Sequence, residues 1–135
     1  MNWTIALSDL PDFLRVTSEG TVTRERFVAL WSDVISHDCW RPGMAVLMDN
    51  RGLERIGTGG LGLTSAAAEF FRANHDTIGA AAVAVVSGHR DHFMHARQFH
   101  YAIRNRKLTP NIQIFFEEQE AVEWLRRFSH NGHVS

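Results

Sequence analysis

Residues 44–64 read "MAVLMDNRGLERIGTGGLGLT", and the change of pattern inside this stretch decides the fold. From Met44 to Met48, just before Asp49, the chain is apolar on successive residues, the pattern of a strand buried on both faces of a sheet. From Leu63 to about His75 the apolar residues recur at helical spacing. A buried strand, a glycine cluster and a helix in that order form the repeating unit of a parallel α/β sheet.

The same alternation recurs on the carboxyl side. The helix leads into the apolar strand "AAAVAVVS", a second helix from about Asp91 to Arg106 leads into "NIQIFFE", and a last helix runs from about Gln119 to Phe128. On the amino side, "WTIAL" and "FLRVTSEG" read as two short strands, and Pro11 and Asp12 between them favour the chain reversal of an antiparallel pair. Thr23 is placed to cap a helix whose residues Phe27, Leu30, Trp31, Val34 and Ile35 share one buried face. Pro42 and Gly43 in "HDCWRPG" stop that helix.

The order β-β-α-β-α-β-α-β-α predicts an α/β fold: a mixed sheet of about five strands with parallel later strands, and about four helices. One domain is expected over residues 1–129, followed by a flexible tail over 130–135.

Composition narrows the function classes. Hydrophobic residues make up 44% of the 135 and charged residues 21%, which is ordinary for one soluble globular domain. A net charge of -1 supplies no overall attraction to nucleic acid or anionic lipid. Arg97, Arg104, Arg106 and Lys107 could form a basic edge, but most of it falls at a helix C-terminus, where cations are favoured anyway. No nucleic acid is expected as a partner. The lone Cys39 cannot form an intramolecular disulfide, and the chain opens with neither a basic leader nor a long apolar run. A cytoplasmic protein without an integral membrane segment is expected.

Gly57, Gly59 and Gly62 satisfy the dinucleotide-binding spacing G-x-G-x-x-G, which requires the glycines directly between a strand and a helix. With the strand expected to end near Asp49, they come several residues too late. The acidic residue that should follow is close to Asp76, at a helix end instead of after a second strand. Gly57, Gly62 and Thr64 also fit the Walker spacing, but Leu63 stands where the phosphate-binding lysine belongs, and Lys107 is the only lysine of the chain. Neither template is completed, and no cofactor is expected. The plainest reading of the cluster is a loop whose glycines supply positive φ and let the next helix start close to the sheet.

The run "LERIGTGGLGL" resembles the segment of STAS domains and SpoIIAA-type anti-sigma factor antagonists that carries an Asp-Ser-Ser-Gly-Leu-Gly motif. Gly60, Leu61 and Gly62 match its Gly-Leu-Gly, Thr58 stands at the phosphorylated serine, Gly57 replaces the aspartate and Gly59 the second serine. The opening strand pair, the order of elements and the ending "IQIFFEEQEAVEWL", with Phe115, Phe116, Glu120, Ala121, Trp124 and Leu125, resemble uncharacterised SpoIIAA-like proteins. The resemblance covers nearly the whole domain. It implies a module that engages a regulatory protein partner, a nucleotide or an apolar ligand, with Thr58 as a phosphorylation switch at a helix N-terminus.

Of eight histidines, the segment "GHRDHFMHARQFH" brings His92 and His95 to i, i+3 and Asp91 and His95 to i, i+4 on one helix, with His89 just upstream. These four are the candidate metal ligands, although one helix rarely closes a coordination shell and no H-E-x-x-H or CxxC accompanies them. A solvated helix face accounts for them equally. Asp49, Ser87 and His89 have the residue types of a hydrolytic triad but lack the G-x-S-x-G elbow. Cys39 lies between Asp38 and Trp40 without a cation to activate it. Trp40 is either a contact residue of a binding surface or a cap on the core.

The expected function is therefore non-catalytic. The residues proposed to bind a protein partner, or a small apolar or anionic ligand, are Asp49, Asn50, Arg51, Thr58, Gly59, Gly60 and Trp40, on loops at the carboxyl ends of the strands. Asp49 with Arg51 reads most simply as a loop ion pair. The alternatives are a small enzyme or metal-dependent protein using the His89–His95 region, and an apolar-ligand carrier. Self-association into a homodimer is left open.

Overall fold

Alternation of side chains along β-strands sorts this sequence onto two sheet faces, and each face recruits a different set of helices. A computed structural model of the chain describes residues 1–8, 13–56, 60–88, 97, 101 and 110–134. Its elements are β1 (Asn2–Ser8), β2 (Phe13–Val22), α1 (Arg24–Ile35), β3 (Ala45–Ile56), α2 (Gly60–Ala73), α3 (His75–Ile78), β4 (Ala82–Val86), β5 (Asn111–Phe115) and α4 (Glu118–Val134). The strands form one five-stranded sheet in the order β1-β2-β3-β4-β5. β1 and β2 are antiparallel and the remaining pairs are parallel. The architecture is the expected mixed α/β sheet.

The strand order runs in one direction, and right-handed crossovers that always step the same way lie on the same face. α1 and α2 accordingly share one face. There Leu14, Val16, Val46, Met48, Val83 and Val85 meet Leu30, Trp31, Val34, Ala67, Ala68 and Phe71. Trp31 and Phe71 pack edge to face with ring centroids 5.3 Å apart, and Phe27 adds a second edge contact to Phe71 at 6.2 Å. α4 is not a crossover and covers the opposite face. Its Ala121 and Leu125 lie on Phe13, Ala45, Leu47, Ala82, Ala84 and Val86.

Local signals place α1 well. Thr23 is its N-cap, with extended backbone, and its hydroxyl accepts from the Arg26 amide at 3.2 Å. The turn after α1 ends against α3, where Gly79 has φ of 62° and an added Cβ would come within 2.9 Å of the Gly43 nitrogen. A side chain there meets both backbone strain and a clash.

Three boundaries differ from the sequence reading. β3 does not stop near Asp49 but continues to Ile56. Beyond Asp49 it has lost β4, whose ladder ends at the Asp49–Val86 pair, and it continues against β2 alone. With a neighbour on one side only, polar residues are tolerated, so "NRGLERI" lacks the apolar signature of the first half. Two register shifts punctuate this extension, opposite Thr17/Glu19 and Gly20/Thr21. At the first, Gly52 passes so close to β2 that a Cβ would lie 2.7 Å from the Ser18 carbonyl oxygen. The second difference is α2, which begins at Gly60 instead of Leu63, with α3 as a separate short turn after it. The third is α4, which reaches Val134 and takes in most of the segment read as a tail.

Candidate functional site

On the α4 face, the apolar series of β2 and β3 both give way to charge near the end where the ladder to β4 stops. Phe13 is followed two residues on by Arg15, and Ala45 and Leu47 by Asp49 and then Arg51. Each such step of two keeps the residue on the same face of an extended strand. Arg15 pairs with Leu47 in register and Thr17 with Asp49, so the two arginines and the aspartate gather around one point. The first turn of α4 brings Glu118 there.

Asp49 is 7% exposed, and a carboxylate so buried needs partners. Arg51 binds it with two parallel bonds, Nε to Oδ1 at 2.8 Å and Nη2 to Oδ2 at 2.7 Å. The Arg51 amide also donates to Oδ1 at 3.2 Å. Arg15 Nη2 stands 3.7 Å from Oδ2 and forms an ion pair with Glu118, to which Arg51 Nη2 also donates at 3.2 Å. The four side chains form one closed network of two cations and two anions joining β2, β3 and α4. The hydrogen bond from Arg51 holds the Asp49 carboxyl below its ordinary range, and the same bond raises Arg51. The aliphatic stem of Arg51 runs across the backbone after β4, where a Cβ on Gly88 would meet Arg51 Cγ at 3.1 Å.

The residues singled out from sequence distribute unevenly over this frame. Asp49, Asn50 and Arg51 lie within β3, not in a loop after it, because the strand overshoots its neighbour. Gly60 opens α2. Gly57, Thr58 and Gly59 lie outside the described residues, as do His89, Asp91, His92 and His95. Since β3 ends at Ile56 and α2 begins at Gly60, the glycine cluster does follow a strand directly, contrary to the sequence reading. Asp76 lies in α3, still not after a second strand.

Trp40 is not brought to the network. It lies before the start of β3, at the amino end of the parallel strands, where its indole N–H donates to the Thr77 carbonyl at 2.9 Å and its ring packs against the aromatic core. That position fits the core cap, the second of the two roles read from sequence. Ser87 is 2% exposed, and its amide donates to the Phe115 carbonyl at 2.9 Å. With Asp49 held by Arg51, the carboxylate of the hydrolytic arrangement is turned to another use. Among the described residues, no three His, Cys, Asp or Glu side chains cluster as metal ligands, and no helix is long and apolar enough to cross a membrane.

Sequence reasoning missed Arg15 and Glu118. A signal was present: Arg15 interrupts the apolar face of β2 just as Asp49 interrupts that of β3, with the opposite charge. Connecting the two requires the register, which the sequence does not state.

A solved structure of similar shape decides the fold type. An uncharacterised protein of the DUF3478 family from Shewanella loihica PV-4, with a SpoIIAA-like fold, matches 92% of this chain and 92% of its own at a TM-score of 0.56 and 16% identity. The fold is SpoIIAA-like. No family model and no curated protein matches the chain. In this SpoIIAA-like sheet the strand order never reverses among the described strands, so topology opens no crevice of the doubly wound kind. What marks the carboxyl ends of β4 and β5 is the charged network.

Proposed function

We propose that the chain is a non-catalytic, cytoplasmic regulatory module that binds a protein partner through the surface around the network, with Thr58 of the glycine cluster as a further residue of the contact. The observation that supports this reading is how the network divides its charges. Asp49 is buried and saturated by Arg51, which suits a structural anion better than a general base. Its partners stay accessible: the side chains of Arg51, Glu118 and Arg15 are 47%, 37% and 32% exposed. Phe116, 46% exposed, stands two residues before Glu118. Arginines held in place by fixed carboxylates, like exposed aromatic rings, are favoured residues at protein interfaces, because little freedom is lost when they are covered. The resemblance to SpoIIAA-type antagonists supports a regulatory protein as the partner and phosphorylation of Thr58 as the means of tuning the contact.

The test begins with native mass spectrometry of untagged protein, which reports any ligand carried through purification. Affinity for a captured partner is then compared among the wild type, Arg51→Ala, Thr58→Ala and Thr58→Glu. The expected result is weaker binding by Arg51→Ala and opposite effects of the two Thr58 variants, all with native circular dichroism. Equal affinity across the four proteins would remove this surface from consideration. A bound small molecule of stoichiometric mass would instead favour a carrier.

A further inference from the structure

We infer that the outer edge of β1 is a self-association surface, on which β1 of a second copy pairs antiparallel and joins two sheets into one. β1 is an edge strand, and among the described elements it is hydrogen-bonded only to β2. Edge strands are ordinarily protected by lysine, proline, bulges or shortness. β1 has seven residues, Asn2 to Ser8, without a charged residue or a proline, and its pairing with β2 runs through all of them without a register shift. The other edge strand, β5, has five residues and follows Pro110 directly.

The pattern of β1 fits itself. Trp3, Ile5 and Leu7 alternate with Asn2, Thr4, Ala6 and Ser8, and the alternation is symmetric about Ile5. Pairing across a two-fold axis at Ile5 sets Trp3 opposite Leu7, Thr4 opposite Ala6, Asn2 opposite Ser8 and Ile5 opposite its own copy. A slip of one residue would set apolar side chains opposite polar ones, so the face pattern selects this register. Leu7, 48% exposed in the single chain, would be covered by Trp3 of the second copy. Trp3 is already fixed for that contact: its indole N–H donates to Asp33 at 2.9 Å, and the Arg26 guanidinium lies 4.5 Å from its ring centre. A second copy is the occupant because an uncharged, self-matching strand offers nothing specific to a charged peptide. A strand pair of this length is a small interface, so the dimer forms and dissociates with concentration.

Sedimentation velocity of the full chain over a concentration series tests this. The expected result is a species of twice the 15.3 kDa chain mass that grows with concentration. Leu7→Lys should weaken it by about tenfold or more, with unchanged circular dichroism and Tm. The double variant Thr4→Lys with Ala6→Lys, at exposed positions, puts like charges directly opposite each other across the axis and should do the same. It carries the test if Leu7→Lys does not fold. Monomer at every concentration overturns the inference, and so does a dimer that folded variants leave intact.

Discussion

Val83 and Val85 of β4 face a core that holds Trp31 and Phe71, whereas Ala82 and Ala84, one residue out of step, lie under α4 beside Ala121 and Leu125. The first face is thick with large aromatic side chains, and the second is thinner in side-chain bulk, with alanine at four of its eight buried positions and Phe115 and Trp124 packed against it. Large interlocking groups dominate burial energy, so the first face carries most of the stability. Small groups let a helix approach the sheet closely, which brings the first turn of α4, and Glu118 with it, to Arg15 and Arg51. The contrast suggests a division of labour, with the thick face holding the fold and the thin face positioning charges.

The largest effect that could break this contrast is expected on the thick face. Phe71→Ala removes a ring in contact with Phe27 and Trp31 and should cost about 3–5 kcal/mol in urea unfolding. A loss of under about 1 kcal/mol would show that the aromatic face does not dominate. Next, Ala84→Leu should destabilise by about 1–3 kcal/mol through overpacking beneath α4. If the close approach of α4 matters, this variant should also weaken partner binding while leaving α1 and α2 intact by hydrogen exchange.

Asp49→Asn should cost about 1–2 kcal/mol at neutral pH, less than a fully buried pair would, because solvent screens the half-exposed Arg51. The pH dependence has a definite sign. The folded carboxyl is lowered by its bond to Arg51, so its contribution is complete above the ordinary aspartate range and is lost as pH falls through the lowered value. Urea midpoints measured from neutral to acid pH should therefore fall less steeply in Asp49→Asn than in the wild type. Parallel curves would show that the network does not couple to folding. The smallest effect sharpens the picture of α1: Thr23→Ala should cost about 1 kcal/mol in thermal unfolding by leaving the Arg26 amide uncapped.

Much of the fold was legible because its signals are local. Pro11 and Asp12 between two strand patterns, Thr23 before a helical spacing, and the apolar runs at Met44 and Ala80 each act within a few residues. The second half of β3 was not legible, since a strand with one neighbour and two register shifts need not be apolar. Asp49 and Arg51 were legible as a pair because they are two residues apart. Arg15 and Glu118 were not, because their sequence separation of 103 is closed only by the sheet and the last helix.

By itself, then, the sequence determined an α/β chain, an antiparallel opening followed by parallel strands, a capped first helix and the order of buried strand, glycine cluster and helix. These follow from spacing, turn chemistry and caps, which need no distant partner. The tertiary structure alone decided that α1 and α2 share one face while α4 takes the other, and that Trp40 belongs with the core. It also decided that two arginines, an aspartate and a glutamate from three elements form one network. The physical reason is that strand register and crossover direction set which side chains meet, and both are properties of the assembled sheet.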